Sequence, residues 1–335
     1  MTASYNLELL YLHLQPNYNQ FNYSTMAKIT KEAALLYHSQ GKPGKIEVVP
    51  TKPYSTQTDL SLAYSPGVAE PCLEIEKNPQ DAYKYTAKGN LVAVISNGTA
   101  VLGLGDIGAL SGKPVMEGKG LLFKIYAGID VFDIEVDEKD PEKFIAAVKA
   151  IAPTFGGINL EDISAPRCFE IEERLKEMLD IPVFHDDQHG TAIVVLAGII
   201  NGLRVTGKKK EDCRVVVNGA GSAGVAITKL LLTYGFKHVT MCDREGIIGK
   251  DYPNLNWMQK KMTEVTNLEN ASGTLADALR GADIFVGVSA PNIVTPEMVS
   301  SMNKDAILFA MANPVPEIMP DVAKAAGAKV VGTGR

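Results

Sequence analysis

The fold is decided by the stretch Arg214-Val-Val-Val-Asn218-Gly219-Ala-Gly221-Ser-Ala-Gly224. A β-branched run comes first, three glycines follow at the spacing G-x-G-x-x-G, and an uninterrupted segment continues to Tyr234. In such a turn the first glycine allows a tight bend, the second admits a pyrophosphate to the backbone, and the third lets helix and strand pack closely. We predict a strand over Arg214–Asn218 and a helix over Ser222–Tyr234 whose N-terminus faces the phosphates of a dinucleotide. The coenzyme-binding residues are then those of the turn: Gly219, Ala220, Gly221, Ser222, Ala223 and Gly224.

The alternative for this turn is packing alone, and an acid further along the chain argues against it. Asp243 follows the next predicted strand, residues 238–242, near the offset of about 20 residues at which a carboxylate hydrogen-bonds the adenine ribose. Its charge disfavours a 2′-phosphate, yet Arg244 follows at once and would attract one. The predicted coenzyme is therefore NAD or NADP, with Asp243 favouring NAD.

Outward from this motif, short apolar runs alternate with helical stretches, which is typical of α/β proteins. Further strands in the second half are predicted at residues 282–288, 306–311 and 328–331. Strands in the first half are predicted at Leu91–Ser96, 129–134, Gly157–Leu160 and 181–184, with helices at 143–151 and 167–179. We predict an N-terminal α/β domain over residues 26–188 and a Rossmann-type, doubly wound domain with a parallel sheet over residues 189–335. An almost wholly apolar helix over residues 190–203 is expected to be a buried connector.

Length and composition agree with two folded domains. The 335 residues exceed the roughly 100–200 of one domain, and a net charge of −6 without a basic stripe predicts no nucleic-acid partner. Apolar runs such as residues 192–200 are shorter than the roughly 20 residues that span a bilayer, so no membrane association is expected. Four scattered cysteines suit a reducing cytoplasm. Residues 1–25, which contain no Lys or Arg, are expected to be an extension outside the fold.

A second glycine pattern, Gly103-Leu-Gly105-Asp-Ile-Gly108, also follows a predicted strand. Asp130 follows this pattern near the distance along the chain at which an acid would bind the adenine ribose. Gly112-Lys113-Pro114 comes soon after the pattern and is expected to interrupt the following helix. We therefore interpret the second pattern as a close-approach turn beside the reaction site.

Two acid pairs, Glu161-Asp162 and Asp186-Asp187, follow two predicted strands of the first half. Ligands of open α/β sheets bind at the carboxyl ends of the strands, so the pairs are expected to share one cleft. A divalent cation that prefers oxygen ligands, Mg²⁺ or Mn²⁺, would relieve their repulsion. Two alternatives stay open: the acids cap a turn and the helix near Gly190, or His185 and His189 bind zinc in a hydrolase. The zinc site needs both histidines inside one helix, which is expected to begin only near Gly190.

Several segments, in order along the chain, carry a family resemblance. They are Ser61-Leu-Ala-Tyr64-Ser-Pro-Gly-Val-Ala-Glu-Pro71, residues 101–108, Pro114-Val-Met-Glu-Gly-Lys119, Asn159-Leu-Glu161-Asp162, residues 184–192, residues 219–224 and Met311-Ala-Asn313-Pro314. The chain resembles malic enzymes, specifically the compact bacterial type, from residue 27 to residue 335. The resemblance implies oxidative decarboxylation of malate to pyruvate and carbon dioxide with a nicotinamide coenzyme.

Carried over by position, the resemblance implies a role for three side chains near the substrate. Lys119 resembles the general base that takes the C2 hydroxyl proton, for which its pKa should be lowered to roughly 7–8 by burial and nearby cations. Tyr64 resembles the acid that protonates C3 of enolpyruvate. Asp186 is expected to support Lys119 electrostatically.

The resemblance also implies the binding residues for the metal and the nicotinamide. The metal ligands implied by position are Glu161, Asp162 and Asp187, and the ion would polarise the C2 oxygen of the substrate. Asn313 is implied to hydrogen-bond near the nicotinamide and the substrate.

Two departures from the family pattern bear on activity. Some relatives carry an arginine two residues before the turn Leu102-Gly-Leu-Gly-Asp106, where this chain has Ala100, so the substrate carboxylate is expected to bind elsewhere. The chain stops at Gly332-Thr-Gly-Arg335, where the family usually continues into an Asn-containing loop. Weak or absent turnover is therefore expected for the chain as written.

The partners implied are malate and further copies of the chain, since the relatives are typically dimers or larger. Besides the zinc hydrolase, two alternatives stay open. One is a non-catalytic, coenzyme-binding remnant of an enzyme, and the other is an enzyme that acts on another β-hydroxy or β-keto acid with the same machinery.

Overall fold

The structure, a computed structural model, describes residues 29–334. The described residues divide into two units, residues 29–45 and residues 46–334. The described part of the first unit holds helix α1 (Lys31–Ser39), where the Thr30 hydroxyl caps the first turn by accepting the Ala33 N–H. Residues 1–25, expected to be an extension, lie outside the described residues.

The second unit contains two β-sheets, and the first is built from the N-terminal half of the chain. Its four strands are all parallel, in the order β2-β1-β3-β4. The strands are β1 (Leu91–Ser96), β2 (Asp130–Glu135), β3 (Gly157–Leu160) and β4 (Val183–His185). The helices of this half are α2 (Gln57–Ala63), α3 (Ala69–Lys77), α4 (Ala82–Tyr85), α5 (Ala109–Ala127), α6 (Pro141–Ile151) and α7 (Arg167–Met178). Since the strands are parallel, their carboxyl ends lie at one edge of the sheet. Both acid pairs lie at this edge, because Glu161-Asp162 follow β3 and Asp186-Asp187 follow β4.

The second sheet has six strands in the order β10-β9-β8-β5-β6-β7, all parallel except β7. The strands are β5 (Arg214–Asn218), β6 (His238–Asp243), β7 (Gly246–Ile247), β8 (Ile284–Gly287), β9 (Ile307–Ala310) and β10 (Val330–Thr333). The helices are α8 (Asp186–Thr206), α9 (Ser222–Tyr234), α10 (Trp257–Met262), α11 (Leu275–Leu279), α12 (Pro296–Ser300) and α13 (Pro320–Ala325).

Both faces of the second sheet are covered. Val215 and Ile284 share a buried cluster with residues of α8 and α9. The side chains of Val216 and Phe285 point to the opposite face of the sheet. They share a second buried cluster with residues of α11, α12 and α13. The prediction of an α/β protein with a doubly wound, Rossmann-type second half is confirmed.

One buried cluster connects the two halves of the second unit. It contains Ile95 and Leu160 from the first sheet, Phe169 from α7, and Ala220 and Val225 from the glycine turn and α9. This shared core fixes the glycine turn against the first half of the unit. The domain boundary predicted at residues 188 and 189 stays a prediction.

Helix α5 differs from its prediction, because it runs without interruption through Gly112 and Pro114. A proline inside a helix removes the hydrogen bond that its missing N–H would donate, here to the Leu110 carbonyl, and its ring crowds the same carbonyl, so the surrounding packing has to outweigh both costs. Gly112 packs near Val101, whose methyl group an added Cβ would meet at 3.5 Å. The predicted break in this helix is therefore wrong.

Helix α8 is the only helix among residues 29–334 that is long and apolar enough to cross a membrane. Its 21 residues begin at Asp186 and not near Gly190, because acids are favourable in the first turn of a helix. The helix lies close to β9, since a Cβ added at Gly198 would meet Phe309 at 2.9 Å. Its apolar stripe, including Ile199, is buried against the second sheet. The helix is therefore part of the core, as the connector prediction requires.

Candidate active site

The glycine turn lines a cleft of about 1340 Å³. Gly219 has a φ of 109°, and a Cβ added at Gly224 would overlap the Gly219 carbonyl, so both positions require glycine. A Cβ added at Gly221 would meet nothing within 4 Å, so this backbone is open to the cleft, and Gly221 is the N-cap of α9. The turn therefore combines a tight bend, an open approach and close packing before a helix N-terminus, which is the geometry of a pyrophosphate site.

Asp243 and Arg244 line the same cleft at the end of β6. Gln259 Nε2 donates to Asp243 Oδ2 at 3.2 Å, and the Arg244 backbone N–H donates to Oδ1 at 2.9 Å. The Arg244 residue is exposed. This corner of the cleft therefore presents an oriented carboxylate suited to a ribose diol and a cation suited to a 2′-phosphate.

Three of the four acids that follow β3 and β4 come together. Glu161, Asp162 and Asp187 each offer a carboxylate oxygen, and these oxygens lie within 4.8 Å of one another. Asp187 Oδ2 accepts the Asp162 backbone N–H at 2.9 Å, and Asn159 Nδ2 donates to Glu161 Oε2 at 2.9 Å. We call Glu161, Asp162 and Asp187 the acid cluster.

The electrostatics of the acid cluster favour a bound cation. Burial and the charge of Asp187 raise the pKa of Asp162 to about 7, and the same two causes raise the pKa of Glu161. Asp162 Oδ2 is buried and has no hydrogen-bond partner within residues 29–334. An all-oxygen donor set that combines charge repulsion with an unsatisfied buried oxygen fits a hard divalent cation such as Mg²⁺ or Mn²⁺.

Lys119, on α5, lies beside the acid cluster. Its Nζ is 2.7 Å from Asp186 Oδ2 and 3.1 Å from Glu161 Oε1. Burial alone would lower the pKa of Lys119, but the carboxylates of Glu161 and Asp186 outweigh burial and hold the pKa above its ordinary value. The prediction that the pKa of Lys119 is lowered is therefore wrong for the protein without a cation, because the groups nearest to Lys119 are anions.

The structure does not support a zinc site at the two histidines. His185 is buried and precedes α8 as its N-cap, so only His189 belongs to the helix. The His189 ring Nε2 lies 2.9 Å from Glu172 Oε2, and Glu172 Oε1 accepts the His185 backbone N–H at 3.2 Å. Among the described residues, the only group arranged to bind a metal consists of acids. The capping alternative for Asp186 and Asp187 is also wrong, because neither residue occupies the N-cap position.

Two of the predicted site residues are not joined to Lys119. Tyr64 is the C-cap of α2 and is 78% exposed; in the described part of the chain no hydrogen bond links its hydroxyl to Lys119 or to the acid cluster. Asn313 is exposed after β9, and a Cβ added at Gly103 would lie 3.0 Å from the Asn313 carbonyl oxygen. The second glycine pattern thus approaches the loop after β9, and its last residue, Gly108, is the N-cap of α5.

Three polar residues that orient the site were not identified from the sequence: Asn159, Glu172 and Gln259. Asn159 lies two residues before Glu161 on β3, so the alternation of a strand could have placed both on one face. Glu172 and Gln259 carry no such signal, because their partners lie 13 or more residues away along the chain.

Fold and site together define the class of an α/β protein with a Rossmann-type second half, in which the glycine turn shares one compact unit with a lysine and a carboxylate cluster that is a candidate metal centre. Comparison with known proteins agrees. Residues 43–176 match the model of the malic enzyme N-terminal domain, and residues 188–333 match that of the malic enzyme NAD-binding domain.

Relatives of known name are similar over most of this chain. An NADP-dependent malic enzyme of Escherichia coli is 60% identical over 298 residues, which are 88% of this chain and 39% of that protein. A bifunctional malic/malolactic enzyme of Bacillus subtilis is 53% identical over 91% of this chain and 74% of that protein. The crystal structure of an NAD-dependent malic enzyme from Thermotoga maritima superimposes with a TM-score of 0.85 at 50% identity, covering 87% of this chain and 78% of that one.

The chain belongs to the malic enzyme family, and its second half is an NAD(P)-binding domain. It spans about two fifths of the length of the first curated relatives that it matches.

We expect the substitution Asp187→Asn to weaken Mn²⁺ binding by at least about tenfold, since even the outer partners of metal ligands contribute about 10–100-fold to affinity. Electron paramagnetic resonance of free Mn²⁺ during a titration measures this change. Asp180→Asn, at an exposed acid of the same half, is the matched control and should leave the affinity unchanged. Equal Mn²⁺ affinity in Asp187→Asn and the unaltered protein would contradict the assignment of the acid cluster.

Proposed function

We propose that this protein oxidises malate with NAD(P) and decarboxylates the product to pyruvate and carbon dioxide. The observation that carries the proposal is the contact of Lys119 with Glu161 and Asp186 at one end of the acid cluster. A base beside a cation site is what oxidation at C2 followed by loss of the C4 carboxyl group requires.

Lys119 takes part in the first step as general base. Its Nζ removes the C2 hydroxyl proton while a hydride leaves C2 for the nicotinamide, which gives oxaloacetate. The amine must be neutral to accept this proton, and the carboxylates around it oppose that state. A cation held by Glu161 would offset the negative charge of that carboxylate and so would favour the neutral form of Lys119.

The residues that would hold this cation are Glu161, Asp162 and Asp187. When bound, a divalent cation supplies charge stabilisation to the oxygen at C2. Asp186 is not part of this set and stays hydrogen-bonded to Lys119, so it orients the Nζ and stabilises the protonated form after the first step.

In the second step the C3–C4 bond of oxaloacetate breaks, carbon dioxide leaves, and the bonding electrons remain as the enolate of pyruvate. Tyr64 is the proposed acid of the last step, in which C3 of this enolate form of enolpyruvate receives a proton and pyruvate results. The exposure of Tyr64 means that its hydroxyl has to approach the substrate from its position after α2. We therefore expect the segment around Tyr64 to change position when substrate binds.

The proposed coenzyme is NAD in preference to NADP. Support comes from the Asp243 carboxylate, which Gln259 orients in the cleft at a place where a 2′-phosphate would be repelled. Arg244 is positioned to reduce this discrimination. Relatives differ in the coenzyme that they use, since the Escherichia coli protein is an NADP-dependent malic enzyme and the Thermotoga maritima protein is an NAD-dependent one.

The proposed partners are malate, a divalent cation and further copies of the chain, with a cytoplasmic location. Another β-hydroxy or β-keto acid is the second candidate substrate, because Ala100 leaves the substrate carboxylate without the arginine that some relatives carry. The proposed activity is tested by the absorbance of the reduced coenzyme, which should increase when malate is added in the presence of Mn²⁺. Such an increase would exclude a non-catalytic remnant. If the absorbance of the reduced coenzyme does not increase with malate or with any other acid tested, the proposed function is contradicted.

We expect Lys119→Ala to lower the rate of coenzyme reduction with malate by about 10²–10⁴-fold, the usual contribution of a general base. Stopped-flow absorbance of the reduced coenzyme measures the rate. Lys124→Ala, on the same helix and ion-paired at the surface with Asp130, is the control and should retain the rate. A Lys119→Ala rate equal to that of the control would refute the base assignment.

For Tyr64→Phe, we expect exchange of the pyruvate C3 protons with D₂O to slow by about 10²-fold or more, because the proton donor is lost. Proton NMR of pyruvate incubated with protein and Mn²⁺ follows this exchange without any coenzyme. The control is Tyr54→Phe, at a tyrosine that is 65% exposed. Undiminished exchange in Tyr64→Phe would rule Tyr64 out as the acid.

Removing the carboxylate with Asp243→Ser should raise the preference for NADP over NAD by at least about tenfold, since one repulsive charge beside the 2′-phosphate is lost. The ratio of the dissociation constants of NADH and NADPH, measured by fluorescence, reports the preference. Asp321→Ser, at an exposed acid on α13, serves as the matched control. An unchanged ratio of the two dissociation constants would show that Asp243 does not distinguish the ribose of NAD from that of NADP.

A further inference from the structure

Glu317 is a completely buried acid in the loop between β9 and α13, and its described hydrogen bonds all come from neutral groups. Its Oε1 accepts the Ser289 backbone N–H at 3.0 Å and is 3.4 Å from the Ser289 hydroxyl. Its Oε2 accepts the Ala312 backbone N–H at 3.0 Å. A single carboxylate therefore joins the loop after β8 to the loop after β9.

The surroundings of Glu317 are built to receive its carboxyl group. A Cβ added at Gly287, the last residue of β8, would lie 2.5 Å from Glu317 Oε1, so only glycine leaves the space. The Glu317 carbonyl also accepts the Val294 N–H at 3.0 Å. Burying a carboxylate is costly unless its hydrogen bonds are satisfied, so this arrangement points to a specific use of both oxygens.

Of the two loops that Glu317 joins, the loop after β8 lines the coenzyme cleft, and the loop after β9 carries Asn313, which the family resemblance implies to lie near the nicotinamide. Ser289 lines the cleft, and its hydroxyl accepts a hydrogen bond from Asn218 Nδ2 at 2.7 Å, at the end of β5. Ala312 directly precedes Asn313. In doubly wound sheets the dinucleotide crosses the point where the strand order reverses, here between β5 and β8. The adenosine half then lies over β5 and β6, and the nicotinamide half lies over β8 and β9.

We propose that Glu317 is a positioning residue for the nicotinamide half of the coenzyme, acting through Ser289 and through the Ala312–Asn313 backbone. The proposal rests on the proposed coenzyme-dependent function. Glu317 does not line the cleft, and it acts by fixing two backbone segments that do not share a strand. The adenosine half depends instead on the glycine turn and Asp243, which Glu317 does not contact.

The substitution Glu317→Gln separates these two halves of the site. A glutamine amide offers one acceptor oxygen and one NH₂ donor, so one of the two backbone N–H groups would face another donor and its loop would be released. We expect the dissociation constant of NADH to rise by at least about tenfold, because a buried donor is left unsatisfied. The dissociation constant of ADP-ribose, which lacks the nicotinamide, should stay within about twofold, since the glycine turn is unchanged.

The measurement is a fluorescence titration of the full chain with NADH, together with calorimetric titration with ADP-ribose. Glu269→Gln, which removes an exposed acid from the same half, is the control and should bind both ligands as the unaltered protein does. The emission of saturating NADH provides a second readout, because a loosely held nicotinamide should emit less strongly in Glu317→Gln than in the unaltered protein.

Three outcomes would overturn the proposal. Unchanged NADH affinity in Glu317→Gln would do so, and so would equal weakening of NADH and ADP-ribose, which would indicate a loss of the whole fold of this half. Failure of the unaltered protein to bind NADH would overturn the proposed function as well. If Glu317→Gln does not fold, Glu317→Asp decides, since the shorter side chain cannot accept from both the Ser289 and the Ala312 backbone N–H groups: a selective loss of NADH affinity supports the proposal, and unchanged affinity for both ligands refutes it.

Discussion

Repulsion among the carboxylates of Glu161, Asp162 and Asp187 dominates the electrostatics of the candidate active site. Oxygens of three acids within 4.8 Å of one another, two of them on buried residues, are unfavourable in the absence of positive charge. Lys119 supplies part of that charge through Glu161, and the unsatisfied Asp162 Oδ2 shows that one lysine is not enough. This geometry supports the two proposals together, that the acid cluster holds a cation and that Lys119 acts beside it.

The fold imposes this arrangement through parallel strands and the helices that follow them. Glu161 and Asp162 come from the end of β3, and Asp187 comes from the first turn of α8, directly after the neighbouring strand β4. Glu172, on α7, accepts the His185 backbone N–H and so fixes the beginning of α8. The core cluster that contains Leu160 and Ala220 then sets the glycine turn in a constant position relative to the first sheet.

Much of the fold follows from the sequence, because buried parallel strands are short apolar runs bounded by turn residues. The bounds of β1, β3, β5 and α9 agree with their predictions. The uninterrupted α5 does not, because tertiary packing around Gly112 outweighs the local preference against Pro114. The acid cluster was also predictable in outline, since both pairs follow adjacent strands.

Other properties of the site depend on distances that no local pattern contains. The pKa of Lys119 is raised because Glu161, after β3, and Asp186, at the beginning of α8, reach it from two different parts of the chain. The exposure of Tyr64 depends on how α2 lies, and Glu317 acquires its role only because the loops after β8 and β9 converge on it. The most direct test of the account is the anomalous scattering of Mn²⁺ in crystals of the protein. We predict a peak bounded by Glu161, Asp162 and Asp187 next to Lys119. A peak at His185 and His189, or none at the acids, would contradict it.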